Sequence, residues 1–442
     1  MALLAGAITK RLPLVAAVLA LAACKGGPDD TPWCSAQPSE PPPPASMGLT
    51  YYRDVKPILD QKCGRCHEPG GHAPFALLTY EDVGANMAYV RRAVEDRTMP
   101  PFLAASCCTG YFQDYSLTDA EIATITGWVD QGGAPGEPAE EPPPLPQVGG
   151  LSRVDASSAM AESYTPAPPS GSTDDIRCFV LDWPLDRAAY VTGLNPRPGN
   201  RALVHHLIVG VVGPDDADDA VSRDGADGRP GFDCGGGFGD LRDVTALGGS
   251  LIGGDFPRGL GHRVEPGSKI ILNMHYSTAK EVGEDRTTID FRIDDGAEEF
   301  KSIVIANPAW LIEGAMHVPA GEDDAVFYYK FEPTLFTQGK KVDLQGVTPH
   351  MHYFGSKIVV RVLHDDGSAT CLLEIPRWEF GWEQPFWLAK ATRLDPDDEL
   401  YVECHFDNSA ANQPDGQPPR DFSWGGNNQD MCAAFVSFTD AE

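Results

Sequence analysis

The sequence predicts a multidomain protein, with a small all-α domain followed by two all-β sandwich domains. Three observations carry this reading. Apolar residues recur at spacings of three and four over 54–59 and 117–129, the period of a helix with one buried face. A stretch rich in Pro, Glu, Ser and Gly covers 136–171, including Pro142-Pro143-Pro144, and reads as an extended linker. From residue 172 onward short apolar runs alternate with Gly, Pro and Asp, the texture of a β-sandwich.

The length of 442 residues fits about three domains. Hydrophobic residues make up 42% of the chain, enough for real cores, so global disorder is excluded. Acidic residues outnumber basic ones 64 to 34, giving a net charge of -30. A surface of that sign does not bind a phosphate backbone, so no nucleic-acid partner is expected.

Residues 1–23 read as a lipoprotein signal peptide. Lys10 and Arg11 supply the positive start, and the apolar run over 12–20 is too short to span a bilayer. Leu21-Ala22-Ala23-Cys24 resembles a bacterial lipobox, in which Cys24 is lipidated and becomes the mature N-terminus. Residue 25 is Lys, not the Asp that commonly retains lipoproteins at the inner membrane. The expected location is the periplasm or cell surface, anchored by lipid, at the outer membrane of a Gram-negative bacterium. A Pro-rich tether over 24–46 follows.

The helical domain is placed at 47–135, with Ser116 and Thr118 as candidate caps for its last helix. It carries Cys63-Gly64-Arg65-Cys66-His67, a CxxCH motif. Two such thiols attach haem vinyl groups, and the adjacent His reaches the iron. The segment resembles a class I cytochrome c domain, which implies covalent haem c and a distal Met before the last helix. Met99, in Thr98-Met99-Pro100-Pro101, sits at that place, ahead of Met87 and His72.

With Cys24, Cys63 and Cys66 assigned, eight of the 11 cysteines remain: Cys34, Cys107, Cys108, Cys178, Cys234, Cys371, Cys404 and Cys432. An even number in an exported chain suits disulfides, with the pairing open on sequence alone.

Strands are expected over 203–212, 269–275, 325–331, 357–363 and 432–438, with a break near residue 300, so the two sandwiches occupy 172–300 and 301–442. The β region holds suggestive histidines: His205-His206, then His275 in Asn273-Met274-His275-Tyr276, then His350-Met351-His352. An HxH on a strand puts both imidazoles on one face and can chelate a transition metal. Adjacent histidines point apart on an ideal strand, so His205 and His206 need a bulge or a strand end to share an ion. The acidic stretch Asp215 to Asp227 reads as a solvated loop.

In order and spacing these histidines, together with Ala188-Ala189-Tyr190-Val191 before them and Asp430-Met431-Cys432 after them, resemble the copper type II, ascorbate-dependent monooxygenases. That is the family of peptidylglycine α-hydroxylating monooxygenase and dopamine β-monooxygenase. The resemblance covers about 270 residues. It implies two jelly-roll-like domains, each with one copper, facing each other across a water-filled cleft. His205, His206 and His275 match the electron-donating site. His350, His352 and Met431 match the oxygen-binding site, where catalysis occurs. A Cys404–Cys432 disulfide beside the Met ligand is also implied.

The resemblance further implies an enzyme that inserts one atom of O2 into a C–H bond of an organic substrate. Its two electrons would come through the haem from a periplasmic donor. Thr348, Phe435 and Ala433 replace the Arg, Tyr and Asn with which the peptide hydroxylase grips its substrate, so a peptidyl-glycine substrate is not expected. Asn273 replaces a Gln associated with electron transfer in the family. The competing reading is a non-catalytic, periplasmic electron-transfer or copper-binding lipoprotein.

Overall fold

The computed structural model describes residues 31–36, 46–69, 73–144, 148–170, 172–234, 238–242, 244–279, 281–311, 315–413, 416–425 and 429–441. The signal segment, Cys24 and His72 lie outside them. The apolar runs after residue 172 form strands close to the expected bounds. The first set is β1 (Ala156–Ala159), β2 (Asp174–Asp182), β3 (Ala189–Arg197), β4 (Val204–Val212), β5 (Thr245–Gly249), β6 (Gly254–Asp255), β7 (Leu260–Val264), β8 (Lys269–Ser277), β9 (Thr288–Asp294) and β10 (Glu298–Glu299). Strands β1-β9-β3-β7-β10 form one sheet, in that order, with β6 against β3; β2-β8-β4-β5 form another. Phe179, Leu207 and Val209 of the second sheet meet Val191, Leu260 and Phe291 of the first in one core. Burying each such side chain contributes about 1.5–3 kcal/mol over leaving it exposed.

The second set is β11 (Lys301–Ile305), β12 (His317–Val318), β13 (Ala325–Phe331), β14 (Val342–His350), β15 (Gly355–Leu363), β16 (Ala369–Ile375), β17 (Phe386–Leu394), β18 (Glu399–Phe406), β19 (Phe422–Ser423) and β20 (Ala433–Asp440). Sheets β11-β20-β14-β17 and β13-β18-β15-β16 share a core that includes Ile305, Val347, Val436, Ile358, Val360 and Val402. Strands β12 and β19 make a separate ribbon.

The expected fold class needs correction. The chain is mostly β, and no autonomous all-α class I cytochrome c domain precedes the strands. Helices α1 (Lys56–Lys62), α2 (Tyr80–Glu95) and α3 (Asp119–Asp130) do form, and they bury Tyr51, Leu59, Val83, Ile125 and Trp128 together. Thr79 and Thr118 close capping boxes with Asp82 and Glu121, so Thr118, not Ser116, is the cap of α3. Yet the chain between α2 and α3 leaves the helices for the β region. Ala104 and Tyr111 belong to the second sandwich core. Ala105 donates its N–H to Glu374 O at 2.7 Å and Phe112 to Trp387 O at 2.7 Å. The Cys108–Cys371 disulfide fastens the same stretch, and Cys34–Cys107 fastens the chain before the helices to it.

The β halves meet: Trp387 of the second set packs in the first core against Phe256 and Phe300. Residues 32–442 form one compact unit. Helical periodicity reports a local buried face; it does not report what else the intervening loop buries.

Two further expectations change locally. Part of 136–171 is not extended linker, because β1 pairs with β9 and Tyr164 bridges Asp285. The acidic stretch contains helix α4 (Ala217–Arg223), and its Asp227 is paired at 2.7 Å with the buried guanidinium of Arg177. Among the described residues no helix is long and apolar enough to cross a membrane.

Candidate metal centres

His206 on β4 lies opposite His275 on the antiparallel neighbour β8. The register between these strands shifts from Val204 to His206, a bulge at His205. This is the device adjacent histidines need, because the extra residue turns His205 toward the face that His206 already occupies. One nitrogen from each of His205, His206 and His275 lies within 4.8 Å of the others. Three nitrogens at about 2.0–2.1 Å from one ion stand about 3.3–3.6 Å apart, so rings as far apart as 4.8 Å close by about 1.2–1.5 Å to share it.

His206 Nδ1 is buried and has no hydrogen-bond partner. His275 Nε2 stands 3.4 Å from Asp174 Oδ1, too poorly aligned for a hydrogen bond. Burial, reinforced by the neighbouring imidazoles, pushes the His206 pKa well down. The ring is therefore neutral at neutral pH, the form that binds metal. Three convergent imidazoles, one with an orphaned buried nitrogen, fit a copper ion.

The second group begins at the end of β14, where His350 lies opposite Ala433 of β20. The His350 and His352 rings are 5.0 Å apart and perpendicular. His350 Nδ1 is 3.1 Å from both oxygens of buried Glu383, and His352 Nδ1 is 3.2 Å from Gln429 O. Engaging both Nδ1 atoms leaves Nε2 of each ring for a ligand. Burial lowers the His350 pKa, but the Glu383 carboxylate outweighs it and the net shift is upward. Burial and the His350 charge push His352 down to about 3.

Met431 immediately precedes the Cys404–Cys432 bridge, and Asp430 joins its backbone to that of His352. Two imidazoles, with the half-buried Met431 tied by its backbone to the same segment, are a donor set of the chemistry that suits copper, and a thioether in it favours Cu(I).

The two groups are close. The Phe380 ring is 4.5 Å from His205, 5.1 Å from His206, 5.4 Å from His275 and 5.7 Å from His352. An apolar side chain thus lies against both, where the resemblance implied a water-filled cleft. A cavity of about 40 Å³ beside them is lined by Ile208, Phe300, Thr348, Glu383, Trp387 and Phe435. Thr348 lies opposite Phe435 in the sheet, and the Phe435 ring is 6.4 Å from His350. Among the described residues the lining holds no cation for a substrate carboxylate.

At the CxxCH motif, Cys63 and Cys66 are both free thiols at the end of α1. Burial pushes the Cys63 thiol up to about 12. His67 donates its backbone N–H to Cys63 O at 2.9 Å, and its Nδ1 is 2.9 Å from Phe75 O. The Phe75 carbonyl holds the proton on Nδ1 and leaves Nε2 with its lone pair, the arrangement an iron ligand needs. Two free thiols and an oriented imidazole fit covalent haem. Arg65, inside the motif, donates to Gly253 O of the first sandwich at 2.7 Å and so fixes the motif against the β region. Met99 lies just past α2, donating its N–H to Ala93 O at 3.2 Å.

Four other described histidines have partners of their own. His405 is bonded to Asp324 and Glu403, His364 to Asp398 and Thr370, and His262 and His317 face Glu299 and Asp421. The residues that sequence reasoning missed are Phe380, Glu383 and Asp174, which belong to no motif. Asp430 stood inside the quoted Asp430-Met431-Cys432, yet nothing in the pattern told its role.

Four disulfides form, Cys34–Cys107, Cys108–Cys371, Cys178–Cys234 and Cys404–Cys432. Bridges of this number persist only under oxidising conditions, so the protein is extracellular or periplasmic.

No family model matches the chain, and no curated protein matches it. Among solved structures it is similar, at 11% identity over 65% of this chain and 91% of the other, to a protein from Parabacteroides distasonis described as secreted, with a TM-score of 0.15. A β-porphyranase of glycoside hydrolase family 86 from Bacteroides plebeius shares 10% identity over 62% of this chain and 38% of its own, with a TM-score of 0.15. A Paenibacillus xanthan lyase shares 14% over 70% of this chain and 28% of its own, with a TM-score of 0.14. Likenesses this slight carry no argument about fold or function.

Proposed function

We propose that the protein is an exported, lipid-anchored dicopper monooxygenase that carries covalent haem c on its helical segment. The observation that supports this best is the pair of histidine groups, His205, His206 and His275 beside His350, His352 and Met431, brought together from opposite halves of the chain. Copper, when bound, supplies electron transfer at the first group and dioxygen activation at the second. Haem on Cys63, Cys66 and His67 supplies a one-electron store fed by a periplasmic donor.

The net reaction consumes O2, a substrate C–H bond, two electrons and two protons, and yields an alcohol and water. The chain's own residues prepare it. Glu383 orients His350, Gln429 O orients His352, and Asp430 holds Met431 next to His352. The small cavity beside Thr348 and Phe435 has, among the described residues that line it, no cation to hold a substrate carboxylate, in keeping with a substrate that lacks one. The tether places Cys24 upstream of Cys34, whose bridge to Cys107 fixes the chain to the folded unit.

The test is copper and haem analysis of the full chain, followed by mass spectrometry of candidate substrates under isotopically labelled O2. Two coppers per chain and a gain of one labelled oxygen atom are expected. Met431→Ile should keep the haem spectrum and the first copper while product formation is lost. Undiminished product from that variant removes Met431 from the ligand set, and a chain that binds no copper defeats the reading.

A further inference from the structure

We infer that Phe380 closes the three-histidine group to outside ligands and thereby reserves it for passing electrons. The inference rests on the copper reading above and concerns what separates the two sites in role. Three imidazoles alone leave a copper ion with an open position that water, azide or O2 can fill. Nothing in the donor set His205, His206 and His275 forbids this.

The obstruction comes from the other half of the chain. Phe380 sits on the short turn Phe380–Trp382 between β16 and β17. Its ring centre lies within 5.4 Å of all three imidazoles of the first group and 5.7 Å from the His352 ring of the second. The backbone follows the ring, because a Cβ added at Gly381 would stand 3.8 Å from His205 Nε2. A phenyl ring offers no donor atom and displaces water, so the position it covers is lost to small ligands.

The turn is also held in place. Glu383, the next residue after it, is buried and has both oxygens 3.1 Å from His350 Nδ1. The segment that covers the first group is thus anchored on the second. Phe380 is here a positioning residue, acting through the imidazoles it covers.

The experiment uses the full chain loaded with Cu(II), with copper measured directly, and titrates it with azide. Azide bound to Cu(II) is read from its charge-transfer absorption and from electron paramagnetic resonance. Wild type should bind one azide for two coppers, Phe380→Ala two, and Phe380→Tyr, which keeps the ring, one. Two azides on wild type, or one on Phe380→Ala with both coppers retained, overturn the inference. If Phe380→Ala does not hold two coppers, Phe380→Val carries the same expectation, and one azide there overturns it. Wild type that takes up no copper fails at the earlier step, and the inference falls with the copper reading.

Discussion

His352 and Met431 share one acceptor: each donates its backbone N–H to Oδ1 of Asp430, at 2.7 Å in both cases. The other oxygen accepts from Phe354 at 2.8 Å and Gly355 at 3.2 Å. Asp430 is fully buried. Burial pushes its carboxyl up to about 7 even though the backbone donors pull it down. A group buried at that cost, with four donors aimed at it, is a clamp. It fixes the backbone of the HxH segment against the start of β20.

Asp430→Asn tests the clamp. An amide keeps one accepting oxygen and turns its NH2 toward two backbone donors, leaving them unsatisfied. Each buried unsatisfied group costs about 1–3 kcal/mol, so a stability loss of about 2–6 kcal/mol is expected by denaturant titration. Copper(I) competition should show weaker binding at the second group and unchanged binding at the first. Equal losses at both groups would show that the effect is global.

The half-buried Cys108–Cys371 bridge should matter to stability. It closes a separation of 263 residues and joins the chain between α2 and α3 to β16. Replacing both cysteines by Ser should cost about 2–4 kcal/mol. Because Cys34–Cys107 is tied to the same stretch, the variant should also expose that stretch to protease before the sheets unfold. An unchanged cleavage pattern argues against the stretch depending on the bridge.

His405 gives a pH dependence. Burial would lower its pKa, but hydrogen bonds to Glu403 and Asp324 outweigh that and raise it. A raised folded-state value means that the stabilisation is fully present below the unfolded value of about 6.5 and is lost as pH rises through the folded one. The stability gap between wild type and His405→Gln, about 1.5–3 kcal/mol for a charge-assisted bond in weakly acidic solution, should therefore shrink as the pH is raised. A gap that widens with pH contradicts this sign.

Much of the first group was legible because its signals are local. The strand around His205 and His206 and the strand around His275 are short apolar runs, and the need for a bulge follows from strand alternation alone. The HxH of His350 and His352 was legible as a motif, but it is not a strand pair: β14 ends at His350, and His352 lies past it in the turn before β15. Glu383, Asp174 and Phe380 were not legible, because each reaches its partner through tertiary packing that no period encodes. The separate helical domain failed for a related cause. Helix periods and the capping boxes at Thr79 and Thr118 are local facts, whereas Tyr111 donating its hydroxyl to Leu372 O at 3.2 Å is a contact across 261 residues. The eight bridging cysteines were countable, but three of their four pairings waited for the fold.

Met99→Ala tests the distal ligand that the haem proposal assigns. The residue follows α2 directly, ahead of the stretch that enters the second sandwich core. The variant should keep haem covalently attached through Cys63 and Cys66 and lose the absorbance band of a Met sulfur on iron. Survival of the band identifies a different distal ligand.

The final prediction concerns the route of electrons between the haem and the histidine groups. Arg65 of the CxxCH motif is hydrogen-bonded to Gly253 O in the first sandwich, so the motif is fixed on the half of the molecule that carries His205, His206 and His275. Fixing donor and acceptor on one framework removes the diffusional search that separate proteins would need. Reduced haem should accordingly reoxidise quickly when copper-loaded protein meets O2 and substrate. His206→Ala removes one of three imidazoles from the first group and should slow that step at least tenfold, a barrier increase of about 1.4 kcal/mol or more. The static haem spectrum should not change, because His67 and its bond to Phe75 O belong to a different segment. Stopped-flow traces of equal rate for both proteins would mean that the haem does not feed this group, and its electrons must then leave through another partner.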